Sequence, residues 1–151
     1  MKKIIYLPIL FLVICLLIVL INKKENNFFL ENTYYGESEL IDINIKKLNE
    51  LISEKKSFAV LVYQDMCVAS SDFNKIVQTF QTEKEITFYK IPFSKLKESD
   101  LNKTIKYYPS FMIYKKGVLI DYLKADKNDN IKYYQTVEGF ESWFLNYVIL
   151  K

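Results

Sequence analysis

The stretch Phe58-Ala-Val-Leu-Val-Tyr63, Gln64-Asp65-Met66, Cys67-Val68-Ala69-Ser70 constrains the fold more than any other. Six apolar residues bounded by polar ones read as a buried strand. After a three-residue loop, Phe73, Ile76, Val77 and Phe80 recur at i, i+3, i+4 and i+7, the apolar stripe of a helix over about residues 68–82. A strand running straight into such a helix must fold it back onto its own sheet, which begins an α/β architecture. Cys67 falls where that helix starts, so its sulfur meets the unsatisfied N–H groups of the first turn. Their partial positive charge favours thiolate over thiol.

The remaining pattern continues the alternation. Ile86 to Ile91 reads as a strand closed by Pro92, and Ser99 as the cap of a helix carrying Leu101, Ile105 and Tyr108 up to Pro109. Phe111–Tyr114 and Val118–Leu123 flank Lys115-Lys116-Gly117, a hairpin turn. Upstream, Ile41, Ile45, Leu48, Leu51 and Ile52 predict a helix over about 40–54. Lys124–Gln135 is a polar loop, and Thr136 caps a final helix with Phe140, Trp143, Phe144, Tyr147 and Val148 on one face. The order helix, strand, helix, strand, helix, strand, strand, helix predicts a mixed sheet with helices on both faces.

Ile4 to Ile21 is a run of 18 residues without charge, long enough to span a bilayer core. Its exit, Val19-Leu20-Ile21-Asn22-Lys23-Lys24, offers no small-x-small cleavage site. Ile14 precedes Cys15 where a lipoprotein signal needs a small residue. Residues 1–21 are therefore expected to be an uncleaved anchor contacting the lipid bilayer through residues 4–21. Residues 22–39 are expected to be a spacer and 40–151 the folded domain. The expected location is the cell membrane, single-pass, with the domain extracytoplasmic, although Lys2 and Lys3 outweigh Lys23, Lys24 and Glu25 only slightly. Cys15 would then lie in the bilayer, out of reach of Cys67.

Histidine is absent, which removes Ser-His-Asp and Cys-His catalysis and every histidine metal site. Two cysteines build neither a zinc site nor a disulfide framework, so no metal and no cofactor is expected. All 21 basic residues are lysine, and without arginine bidentate readout of phosphate or guanine is weakened. From Asn22 onward 19 lysines face 18 acids, so no nucleic-acid partner is expected. Asp65 and Asp72 form a carboxylate pair only nominally, one being a loop residue and the other a first-turn charge that the helix dipole favours.

Strand, thiol, helix, then Tyr108-Pro109-Ser110 before a hairpin with Gly117, resembles the thioredoxin-like superfamily over residues 40–150. The membrane-anchored plan resembles bacterial extracytoplasmic thioredoxin-like proteins and accessory proteins of bacteriocin export. The resemblance implies that Cys67 is the nucleophile and Ser70 occupies the second active-site position. It also implies that a cis Pro109 faces the thiol, with Met66, Val68 and Tyr108 joining Pro109 in client binding. The chain departs from the family pattern at Ser70, which replaces the resolving cysteine. It departs also at Leu61, where a buried acid is usual, at Met66, where an aromatic is usual, and at Val68-Ala69. A hydroxyl cannot attack a mixed disulfide, so an intramolecular dithiol cycle is closed to this chain. Two readings stay open: thiol–disulfide exchange or isomerisation on extracytoplasmic protein clients, and a binding or accessory subunit of a membrane export assembly. The second would use the groove at Met66, Val68 and Pro109, or the 124–135 loop. The helix N-terminus lowers the thiol pKa while Asp65 and Asp72 would raise it, leaving the net direction open.

Overall fold

The computed structural model describes residue 11 and residues 27–151. The anchor expected over residues 1–21, with Cys15, lies outside the described residues apart from Phe11. Among the described residues no helix is long and apolar enough to cross a membrane.

Five strands form one sheet: β1 (Leu40–Asp42), β2 (Phe58–Tyr63), β3 (Phe88–Pro92), β4 (Ser110–Lys115) and β5 (Val118–Leu123), in the spatial order β1-β3-β2-β4-β5. β1, β3 and β2 run parallel, whereas β4 pairs antiparallel with both β2 and β5. The first two crossovers carry α1 (Ile45–Ser53) and α2 (Val68–Lys84). The chain steps one way across the sheet from β1 to β2 and back from β2 to β3, so right-handed crossovers put these helices on opposite faces.

Alternation along the strands sorts the core. Phe88 and Phe111 meet the rings of Phe80 in α2 and Phe140 and Phe144 in α4 (Val137–Phe144). On the other face Phe58 stacks on Tyr114 at 4.6 Å and meets Tyr89 edge-on. β2 is buried almost throughout, as its unbroken apolar run predicts for a central strand.

Several elements differ from the sequence expectation. The helix expected from residue 40 begins at Ile45, because the Asn44 side chain accepts from Lys47 N at 2.9 Å and so sets its start. The residues before it, Leu40–Asp42, pair with β3 instead. β3 starts at Phe88 rather than Ile86, which makes only an isolated bridge to Tyr35. Ser99 does cap, accepting from Leu101 N, but the element is one 3-10 turn, Asp100–Lys103. A short helix not expected from the sequence, α3 (Phe93–Leu96), precedes it. The 124–135 loop contains a 3-10 helix, Asn128–Tyr134. Tyr147 and Val148 lie beyond the end of α4. From Phe28 the segment expected as spacer packs on the domain: Phe28 exchanges backbone bonds with Tyr147 and Ile149, and Leu30 and Tyr34 are buried.

The β4–β5 turn is as tight as its sequence requires. Lys116 and Gly117 both take positive φ, +50° and +78°. A Cβ on Gly117 would overlap the Ile52 carbonyl, so glycine is needed there for space as well as for backbone conformation.

Candidate functional site

β2 ends at Tyr63, and the chain turns through Gln64, Asp65 and Met66 before α2 begins. Met66 takes a left-handed conformation, φ +58°, and its side chain is fully exposed. That turn brings Cys67 to the N-cap of α2 with extended backbone geometry. Ser70, one turn on, is 3% exposed, and its Oγ accepts from Gln64 N at 3.2 Å, tying the loop to the helix.

Cys67 is free and half-buried. Its side chain makes no capping hydrogen bond. The nearby backbone N–H of Ser70 first, then the Ser70 hydroxyl, with a smaller contribution from Ala69 N–H, favour the thiolate and outweigh desolvation, holding the thiol pKa below its ordinary value. The direction left open by the sequence is thus downward. Asp72 pairs with Lys75 at 2.9 Å, and neither Asp65 nor Asp72 is among the groups that shift the sulfur.

A cleft of about 450 Å³ opens beside the sulfur. Met66, Cys67, Val68 and Ser70 line it together with Gln64 and Lys90. Lys90 is held there by Asp42 at 3.1 Å and lies over the Tyr63 ring. Leu61 is fully buried, so no acid stands behind the thiol on this strand.

Pro109 and Tyr108 do not line that cleft. The Tyr108–Pro109 bond is cis, and the pairing of Val62 with Ser110 sets Pro109 at the same edge of the sheet as the 64–67 loop. Pro109 is buried while Tyr108 is exposed and leans on the Phe93 ring at 4.9 Å. Tyr134, from the 124–135 loop, reaches this edge. Its hydroxyl lies 3.0 Å from the Pro109 carbonyl and 2.9 Å from that of Leu123. One hydroxyl proton can serve only one of these acceptors at a time. Gln64, Lys90 and Tyr134 were missed by sequence reasoning; only the unusual length of the 124–135 loop hinted at the last.

No known family profile matches the sequence, and no curated protein matches it. Solved structures do. A point-mutant thioredoxin from Halobacterium salinarum NRC-1 superposes with TM-score 0.58 at 13% identity, covering 78% of this chain and 96% of that one. Thioredoxin from Trypanosoma brucei brucei gives 0.51 at 11% identity, with 76% and 96% covered. Oxidised thioredoxin from Plasmodium falciparum gives 0.50 at 16% identity, with 67% and 97% covered. The chain has the thioredoxin fold.

The Cys67 loop and the cis Pro109 lie at the same end of the sheet. These identities establish architecture; what the site does must be argued from its own chemistry. Among the described residues no group of three His, Cys, Asp or Glu side chains could hold a metal ion.

Proposed function

We propose that this chain is a membrane-tethered thiol–disulfide exchange protein with one working thiol, acting on disulfides of extracytoplasmic protein clients. The observation that carries this reading is the thiol itself: an accessible sulfur at a helix N-terminus, with donors from Ser70 and Ala69 that favour its thiolate, in an open cleft. The apolar run Ile4–Ile21 supports the tether, and the oxidising side of a membrane is where client disulfides persist.

The Cys67 thiolate attacks one sulfur of a client disulfide. The client S–S bond breaks, a Cys67–client mixed disulfide forms, and the other client sulfur leaves as thiolate. Ser70 has no sulfur with which to resolve the adduct. A client thiolate attacks the client sulfur of the mixed disulfide, forms a new client disulfide and returns Cys67 as thiolate. No net oxidation occurs, so the cycle is disulfide isomerisation. In this scheme Cys67 is the nucleophile, Ser70 stabilises its thiolate, and Tyr108 and Pro109 border the client path with Met66 and Val68.

The test is mass spectrometry of the full-length chain in uncharged detergent with a disulfide-linked client peptide. Acid-quenched wild type should carry a covalent client adduct at Cys67 that added thiol removes, and Cys67→Ser should carry none. Failure of wild type to form any adduct would overturn the reading.

A second reading rests on a different observation. Met66 and Val68 are exposed apolar side chains on the cleft rim, and Tyr107 and Tyr108 are exposed nearby in the chain before Pro109. That surface suits a binding module in a membrane export assembly. On that reading Cys67→Ser would be silent, whereas Met66→Glu or Val68→Glu would abolish assembly.

A further inference from the structure

Three lysines from three segments converge on a second cleft of about 440 Å³: Lys103 at the end of a 3-10 turn, Lys106 in the following loop, and Lys124 just after β5. Tyr107 and Tyr122 form its aromatic walls, and Ser110 reaches it from the first position of β4. Asp126 is the acid among its lining residues. The Tyr122 hydroxyl donates to Thr104 O at 3.0 Å, which ties β5 to the 104–107 loop and holds the cleft in shape.

Lys47, Lys75 and Lys95 each pair with an acid three residues away, as Lys103 does with Asp100 at 2.8 Å. Lys106 and Lys124 have no acidic partner within ion-pair distance among the described residues, and Lys124 lies over the Tyr122 ring. Lys106 and Lys124 thus outnumber Asp126 in a concavity walled by Tyr107 and Tyr122.

The position of the cleft gives this charge a use. Ser110, in its wall, pairs directly with Val62, and Tyr63, the next residue along β2, lines the Cys67 cleft. Side chains alternate along a strand, so Tyr63 faces the other side of the sheet from Val62 and Ser110, and the two clefts open at one end of the sheet on its two faces. A client segment laid over this end of the sheet meets both clefts.

We propose that the lysine cleft selects clients whose segment next to the reactive cysteine is acidic, aspartate or glutamate side chains pairing with Lys106 and Lys124. This rests on the exchange reading for the identity of the client but not for the binding itself. The test is therefore made with probes that cannot exchange: labelled peptides with serine in place of cysteine and flanks rich in aspartate, glutamine or lysine, titrated by anisotropy into the full-length chain in uncharged detergent. Two exposed ion pairs should make the aspartate peptide bind about three- to tenfold more tightly than the glutamine peptide at low salt. The preference should disappear in high salt and in the Lys106→Glu/Lys124→Glu double variant. Equal affinities for the aspartate and glutamine peptides, or a preference that survives the double reversal, would overturn the proposal. Cysteine-containing versions of the peptides report exchange separately: selective binding without adducts would retain the cleft and remove the chemistry.

Discussion

The two ends of β2 are built on opposite principles. At its start, Glu31 N donates to Ser57 O at 2.9 Å, Ser57 N to Glu31 Oε1 at 3.1 Å, Lys116 N to Ser57 Oγ at 3.0 Å and Gly117 N to Lys56 O at 2.7 Å. Four bonds lock three segments there, and Gly117 is pressed against Ile52. At its end, the loop from Gln64 to Cys67 is held by a single side-chain bond, Gln64 N to Ser70 Oγ, with Met66 fully exposed. The same strand is anchored at one end and at the other leads to the Cys67 thiol in an open cleft. The locked end and the open end stand roughly 20 Å apart, the length of a six-residue strand.

The strongest way to sharpen this contrast is to add the missing function at the open end. Ser70→Cys puts a resolving thiol beside Cys67, and intramolecular attack should shorten the life of the mixed disulfide by at least about a hundredfold, measured by quench-flow alkylation. At the locked end, Gly117→Ala should cost about 2–3 kcal/mol of stability in urea unfolding through overlap with Ile52 and the positive φ, while leaving the reactivity of Cys67 unchanged.

Smaller effects come from the thiol's titration. The folded pKa of Cys67 lies below its unfolded value, so the alkylation rate should titrate with a midpoint below that of an ordinary cysteine. The stability linked to the thiolate is present above the unfolded pKa and is lost as pH falls through the folded pKa. Ser70→Ala removes the hydroxyl but keeps the backbone donors, so the midpoint should rise only part of the way. The smallest effect is expected at Met66. Its left-handed φ resembles that of Gly117 but meets open solvent, so Met66→Gly should change stability by less than about 1 kcal/mol. A large loss there would break the contrast between the two ends.

Much of this was legible where local pattern and tertiary role agree. The run Phe58–Tyr63 and the stripe Phe73, Val77, Phe80 announce a buried strand and its covering helix because burial and periodicity point the same way. Lys116-Gly117 announces the hairpin because few other dipeptides take its φ values easily. β1 was hidden because Leu40 and Ile41 also fit the helical spacing that continues into α1, and only pairing with the distant β3 decides between strand and helix. Phe28 and Glu31 read as spacer because their partners, Val148 and Ser57, lie far along the chain. At the site, the position of Cys67 was visible, but its charge environment was not. Asp65 and Asp72 are near it in sequence, whereas the groups that set its pKa are Ser70 and Ala69. The bond from Tyr134 to Pro109 spans 25 residues, a separation that no local pattern reveals.

The central claim is that Cys67 is an exchange-competent thiol, and the most direct measurement is mixed-disulfide trapping in cells producing the full-length chain. Cells are acid-quenched, alkylated and run on non-reducing gels, wild type beside Cys67→Ser. Discrete adducts that depend on Cys67 and vanish with reductant are expected. A Cys67 recovered alkylated and adduct-free under every growth condition would contradict the account.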